Sequence, residues 1–184
     1  MPKEIELKVL DVNKEQLIKR LKALKARKLP VQNFRRIIFF IKDDKKESIW
    51  LRLRTDGKKV TLTLKEQFGS GLTQTNEYET EVKDFKTTAK ILCKSFKRFV
   101  YEETTRIPYL YKGAEITIDK WPDIPWFMEI EGKSKDHVMQ LYKELNVSGR
   151  PVGNINADVA YKMYGLNFEE IAKKNNKKRL ALIN

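Results

Sequence analysis

The segment Leu51-Arg52-Leu53-Arg54-Thr55-Asp56-Gly57-Lys58-Lys59-Val60-Thr61-Leu62-Thr63-Leu64-Lys65 holds two strand patterns joined by an Asp-Gly turn signal. Successive residues of a strand point to opposite faces, so each half splits into two sets. The first half sets Arg52 and Arg54 against Leu51 and Leu53, and the second sets Thr61, Thr63 and Lys65 against Val60, Leu62 and Leu64. Asp-Gly between such runs predicts an antiparallel hairpin with one apolar and one charged face. Outward from this hairpin the pattern repeats. An N-terminal strand sets Glu4, Glu6 and Lys8 against Ile5, Leu7 and Val9, and a later one sets Glu77, Glu79 and Glu81 against Tyr78, Thr80 and Val82. Further on, Glu115, Thr117 and Asp119 alternate with Ile116 and Ile118, and Glu129 and Glu131 with Met128 and Ile130.

Strands are expected at about residues 3–10, 34–41, 49–55, 59–66, 75–83, 97–111, 114–121 and 125–131, roughly eight in all. Asn13 followed by Gln16 reads as a capping box opening a first helix, with Leu17, Ile18, Leu21 and Leu24 on one stripe until Pro30 stops it. A second helix starts at Asp84, with Phe85, Ala89, Leu92 and Phe96 on its stripe, and a third at Ser134, with Val138, Leu141, Tyr142 and Leu145. A short fourth precedes Gly165, and Asn167 with Glu170 caps a fifth. The expected class is α+β, built around a large antiparallel sheet or barrel.

The composition agrees with one globular domain: 184 residues, 41% hydrophobic and 34% charged. No linker breaks it, so one domain is expected over residues 1–170, followed by a basic tail, 171–184, that carries Lys173, Lys174, Lys177, Lys178 and Arg179. The run Ile37-Ile38-Phe39-Phe40-Ile41 is too short to span a bilayer and Met1-Pro2-Lys3-Glu4 opens no signal peptide, so no membrane partner and a cytoplasmic location are expected. A single cysteine, Cys93, excludes an internal disulfide and a multi-cysteine zinc site, and a single His137 speaks against histidine-based catalysis. Lys and Arg outnumber Asp and Glu by 38 to 25, a net charge of +13 that attracts an anionic partner.

Charged strand faces can simply be solvated. Here, however, the charges are sorted by sign, with one strand offering only Arg and others only carboxylates. Like charges opposed in a sheet repel, so pure acidic and pure basic strands imply that something bound compensates them. A barrel of about eight strands with this face inward has room for one small ligand. The chemistry that fits is a polyphosphate held with divalent cations: carboxylates suit Mg2+ or Mn2+, and Arg and Lys suit phosphate oxygens. The basic set is Lys8, Arg52, Arg54, Lys65 and Arg106.

At this point the chain resembles the CYTH superfamily, the triphosphate tunnel metalloenzymes, which include class IV adenylate cyclases, thiamine triphosphatases and inorganic triphosphatases. Glu4-Ile5-Glu6-Leu7-Lys8 resembles the family's ExExK signature. Arg52 and Arg54 resemble its RxR strand, Thr61 to Lys65 the strand ending in lysine, Glu77-Tyr78-Glu79 the central acidic strand, Asp119 the late aspartate, and Glu129-Ile130-Glu131 the closing ExE. The resemblance covers about residues 3 to 165 and implies an eight-stranded antiparallel tunnel with helices outside. It implies that Glu4, Glu6, Asp119, Glu129 and Glu131 hold Mg2+ or Mn2+, with Glu79 a further metal candidate on the tunnel floor. Lys8, Arg52, Arg54, Lys65 and Arg106 would form the catalytic phosphate grip. Two positions depart from the pattern: Thr104 stands where the sixth strand carries a lysine, with Lys97 and Arg98 as alternative cations, and Ile41 stands where an aspartate follows the aromatic pair.

The expected activity is metal-dependent hydrolysis of a small-molecule triphosphate: inorganic triphosphate, thiamine triphosphate or a nucleoside triphosphate. Hydrolysis is favoured over cyclisation of ATP to cyclic AMP and pyrophosphate because it needs no base pocket, and none can be identified. A non-catalytic module for polyphosphate or RNA ends is the alternative from another class, supported by net charge and the basic tail. The assembly is expected to be a monomer or homodimer. His137 reads as a surface residue, Cys93 as a small residue at the core edge, and Trp50, Trp121 and Trp126 as packing or rim residues with one available to stack on a base or thiazole ring.

Overall fold

The computed structural model describes residues 5–43, 47–68, 75–168, 170–171 and 173–175. Glu4 and the tail cations Lys177, Lys178 and Arg179 lie outside the described residues. Strand β1 (Ile5–Leu10) leads into helix α1 (Lys14–Ala23), where the Asn13 side chain accepts the Gln16 N–H at 2.9 Å, as the capping pattern requires. The helix ends well before Pro30. Lys25 takes φ +55°, the Ala26 N–H turns back to the Leu21 carbonyl, and Arg27–Lys28 leaves as a two-residue strand, β2. Then come β3 (Gln32–Asp43), β4 (Glu47–Thr55), β5 (Val60–Phe68) and β6 (Thr75–Glu81), followed by α2 (Phe85–Ser95). The chain continues through β7 (Phe99–Tyr111), β8 (Ala114–Lys120), β9 (Phe127–Gly132), α3 (Lys135–Leu145), β10 (Arg150–Gly153) and α4 (Ala157–Lys162). The Phe168 region returns to helix.

The strands form a curled antiparallel sheet in the order β10-β1-β9-β8-β7-β3-β4-β5-β6, with β2 added to β7 off this path. The eight expected strands are all present, and β2 and β10 extend them. Asp56 pins the β4–β5 turn by accepting the N–H groups of Lys58 and Lys59, both at 2.9 Å, and Lys112 and Gly113 take φ +48° and +76° to turn β7 into β8.

The apolar faces decide which way the charged faces point. Leu7, Ile116, Ile118, Met128 and Ile130 pack beneath Leu17 and Leu21 of α1 and Val138, Leu141 and Leu145 of α3. Ile37, Phe39, Leu53 and Tyr101 pack with Ala89, Leu92 and Phe96 on the α2 side. Burying such side chains supplies about 25 cal/mol per Å2 of apolar surface, so the helices fix the register and leave the charged residues on the concave side. A third cluster joins Ile38, Val100, Trp121 and Phe127 to Tyr161 of α4 and to Phe168 and Ile171, with Phe40, Trp50 and Ile155 at its border. No helix of the described residues is long and apolar enough to cross a membrane.

Candidate active site

The concave side of the sheet encloses a cavity of about 350 Å3. Three rungs of the ladder build one half of its wall. Phe40 pairs with Trp50, Trp50 with Lys65 and Lys65 with Glu77; Ile38 pairs with Arg52, Arg52 with Thr63 and Thr63 with Glu79; Arg36 pairs with Arg54, Arg54 with Thr61 and Thr61 with Glu81. The opposite half is built by Glu6 against Glu131 and Glu131 against Glu115, by Lys8 against Glu129, and by Arg106 against Asp119. Thus Glu6, Lys8, Arg52, Arg54, Lys65, Glu79, Arg106, Glu129 and Glu131 all reach the cavity wall. Asp119 does not: only 2% exposed, it lies outside the lining and holds the guanidinium of Arg106.

The two halves carry different electrostatics. In the acidic half, Lys8 lies 3.3 Å from Glu129 and also donates to Glu6. Arg106 makes a two-point contact with Asp119, at 2.8 and 3.0 Å, and reaches Glu129 at 2.5 Å, while the Thr117 hydroxyl donates to Asp119 at 2.5 Å. Burial opposes the charged forms of Lys8 and Arg106, but the neighbouring carboxylates outweigh it and hold both cations above their ordinary pKa. Burial raises Asp119, against the pull of Arg106. Burial would likewise raise Glu129, but Lys8 and Arg106 hold it well below the usual carboxylate range. Glu131 is raised, by burial and by Glu6 and Glu115.

In the basic half, Arg52 reaches Glu77 at 3.1 Å and Glu79 at 3.7 Å, Arg54 reaches Glu79 at 3.9 Å, and Lys65 reaches Glu77 at 2.7 Å. These carboxylates do not balance the cations. Arg52 is pushed down by burial, with Arg36 and Arg106 adding to the effect, and Arg54 is pushed down to about 10 by burial and by Arg52 and Arg106. Among the described residues the buried Nε of Arg52 has no hydrogen-bond partner. Guanidinium groups held close against their own repulsion, with donors to spare, are prepared for an anion.

The acidic half can take a cation. Glu6, Glu129 and Glu131 offer hard oxygen donors on the wall, and the direct opposition of Glu6 and Glu131 is the feature that a divalent ion would relieve. Among the described residues no three carboxylates are already gathered around one point. Glu79 stands in the basic half, where it accepts from the Thr63 hydroxyl at 2.8 Å.

Several wall residues escaped the sequence reading. Arg36 lies on β3, where inward Ile38 and Phe40 conceal the alternation that would have revealed it. Glu77, on the charged face that alternation predicts for β6, adjoins both Arg52 and Lys65. Gln67 and Asn154 sit where the two free edges of the sheet meet. Trp50 and Trp121 line the cavity, whereas Trp126 lies under the Lys14 ammonium at 4.7 Å. Thr104 is 7% exposed and pairs with Phe34, and Arg98 sits over the Phe40 ring just ahead of β7. Half-buried His137 contacts the Lys112 carbonyl oxygen through Nε2 at 3.0 Å, and Cys93 is half-buried on α2.

Comparison with known proteins agrees with this architecture. A conserved hypothetical protein from Pyrococcus furiosus has a similar structure, with a TM-score of 0.64, 19% identity, and coverage of 79% of this chain and 91% of that one. A proposed adenylate cyclase from Vibrio parahaemolyticus matches with a TM-score of 0.57 and 14% identity over 79% of this chain and 90% of that one. A proposed adenylyl cyclase from Hippeastrum, described as having a dominant triphosphatase activity, matches with a TM-score of 0.56 and 15% identity over 90% of this chain and 97% of that one. No curated protein matches the chain. The CYTH domain model matches residues 2–150, and the chain therefore belongs to the CYTH domain family.

Proposed function

We propose that the protein is a divalent-metal-dependent phosphohydrolase that cleaves a triphosphate bound in the cavity. The observation that carries this reading is the shared cavity wall, on which Arg52, Arg54 and Lys65 stand across from Glu6, Lys8, Arg106, Glu129 and Glu131. In this reading Arg52, Arg54 and Lys65 grip phosphate oxygens from one side, and Lys8 and Arg106 complete the grip from the other. Glu6, Glu129 and Glu131, with Glu4, would hold Mg2+ or Mn2+, which would supply additional positive charge beside the phosphates, while Asp119 keeps Arg106 in place. Water attacks the terminal phosphorus, the bond to the bridging oxygen breaks, and orthophosphate and a diphosphate leave with release of a proton. The guanidinium and ammonium groups neutralise the charge that develops on the departing oxygen.

The cavity wall also supports a second reading. Phe40 and Trp50 share a rung with Lys65, so an apolar surface adjoins the cations. That arrangement suits a triphosphate with an organic group, including ATP undergoing cyclisation by attack of its ribose hydroxyl on the α-phosphorus. The deciding experiment incubates the protein with inorganic triphosphate, thiamine triphosphate, ATP and GTP, with and without Mg2+ or Mn2+, and separates orthophosphate, pyrophosphate and cyclic nucleotide. Metal-dependent orthophosphate supports hydrolysis, and cyclic AMP with pyrophosphate supports the cyclase. Tight binding without turnover under either metal points instead to a polyphosphate-binding module.

A further inference from the structure

Arg36 has no role in the grip described above, yet it stands on the cavity wall. It faces Arg54 directly across β3 and β4, while Glu102 faces it from β7. Opposed like charges repel, and Arg36 contributes to the lowering of both Arg52 and Arg54. Its Nε donates to Glu102 Oε2 at 2.7 Å, and its Nη2 lies 2.7 Å from the same oxygen. Nη2 is buried and has no aligned hydrogen-bond acceptor among the described residues.

The guanidinium is also fixed in place. It lies over the Trp121 ring, 4.8 Å from the centroid. Its anchor Glu102 is fully buried, and the Tyr161 hydroxyl donates to the other carboxylate oxygen at 3.4 Å. A purely structural ion pair would account for Glu102, but not for the opposition to Arg54 or for the place of Arg36 on the cavity wall. We infer that Arg36 is a phosphate-binding residue, held ready by Glu102 and Trp121 to share with Arg54 an oxygen of the bound triphosphate. The inference rests on the triphosphate reading above. It also supplies a cation next to Thr104, which lies one rung along on β7 and carries no charge.

The test uses inorganic tripolyphosphate binding to the metal-free protein, measured by calorimetry, with thermal unfolding alongside. The double variant Arg36→Met with Glu102→Gln removes both charges of the pair, so net charge is unchanged and no buried charge is stranded. Arg36→Lys keeps the charge but loses the fork and the stacking plane. Both variants are expected to bind tripolyphosphate about ten-fold or more weakly, the loss of one charge-assisted contact. If the double variant does not fold, Arg36→Lys decides alone. Folded variants with wild-type affinity would make Arg36 a structural residue and overturn the inference while leaving the triphosphate reading intact. A wild-type protein that neither binds tripolyphosphate nor turns over any triphosphate would remove both.

Discussion

Glu6 on β1 and Glu131 on β9 face each other directly across the ladder, with Glu115 facing Glu131 from its other side. Glu129, two residues earlier on the same strand, instead meets Lys8 and Arg106. The two glutamates of the closing motif therefore stand in opposite electrostatic states, one crowded by carboxylates and one enclosed by cations. Glutamine substitutions should separate them. Glu131→Gln relieves repulsion and is expected to raise the melting temperature of the metal-free protein, whereas Glu129→Gln breaks a buried network and costs roughly 1–3 kcal/mol. Both should abolish metal-dependent turnover. Equal shifts of melting temperature in the two variants would contradict these environments.

The same contrast appears as a pH dependence. The folded Glu131 carboxyl holds its proton more tightly than the unfolded chain, where glutamate titrates near about pH 4.3. The native state then binds more protons, and stability falls as pH rises through the folded pKa. Glu129 has the opposite sign: its contribution is present above the ordinary glutamate pKa and disappears as pH falls through its depressed value. Melting curves from about pH 4 to 7 should therefore show the advantage of Glu131→Gln over wild type growing with pH. Adding Mg2+ at neutral pH should stabilise wild type more than Glu131→Gln. A difference between the two proteins that does not change with pH would rule out the raised carboxyl.

A phosphate grip at Arg52 and Arg54 would trade stability for affinity. Replacing either by Lys keeps charge and loses the planar fork, and is expected to raise KM or lower kcat about ten-fold or more. Arg54→Met should go further and separate the two properties. It removes a guanidinium whose pKa burial and neighbouring arginines have pushed down to about 10, so the metal-free protein should melt higher while binding tripolyphosphate more weakly. An Arg54→Met protein that melts lower and binds normally would place that side chain in a structural role.

Legibility in the sequence followed the burial of the two strand faces. On β4, β5 and β9 one face meets helices and the other meets the cavity, so Arg52, Lys65 and Glu129 emerge from simple alternation. On β3 both faces are apolar: Ile37 and Phe39 pack beside α2, while Ile38 and Phe40 line the cavity. That erases the alternation and hides Arg36. Pro30 predicts a later end for α1 than the structure has, because the left-handed Lys25 and the pairing of Arg27 with Leu110 end the helix earlier. Strand β10 is short, contains Pro151, and has no alternation to read.

Asn154 shows a further limit, because its role exists only in three dimensions. Among the described residues no ladder joins the two ends of the curled sheet, β10 and β6. Asn154 follows β10 and bridges the gap. Its carbonyl accepts from Gln67 of β5 at 2.8 Å, its amide donates to Thr75 of β6 at 3.3 Å, and its side-chain oxygen accepts from Lys8 of β1 at 3.4 Å. Asn154→Ala removes the two side-chain bonds while leaving the backbone one, and is expected to cost roughly 1–3 kcal/mol and to raise KM by loosening Lys8. Asn154→Asp retains the size and can still accept from Lys8 and Thr75, so the edges stay joined. The added carboxylate competes with phosphate for the Lys8 ammonium, so this variant should keep its melting temperature and lose affinity for triphosphate. An alanine variant with wild-type melting and wild-type kinetics would mean that Gln67 alone holds the edges and that Asn154 does not position Lys8.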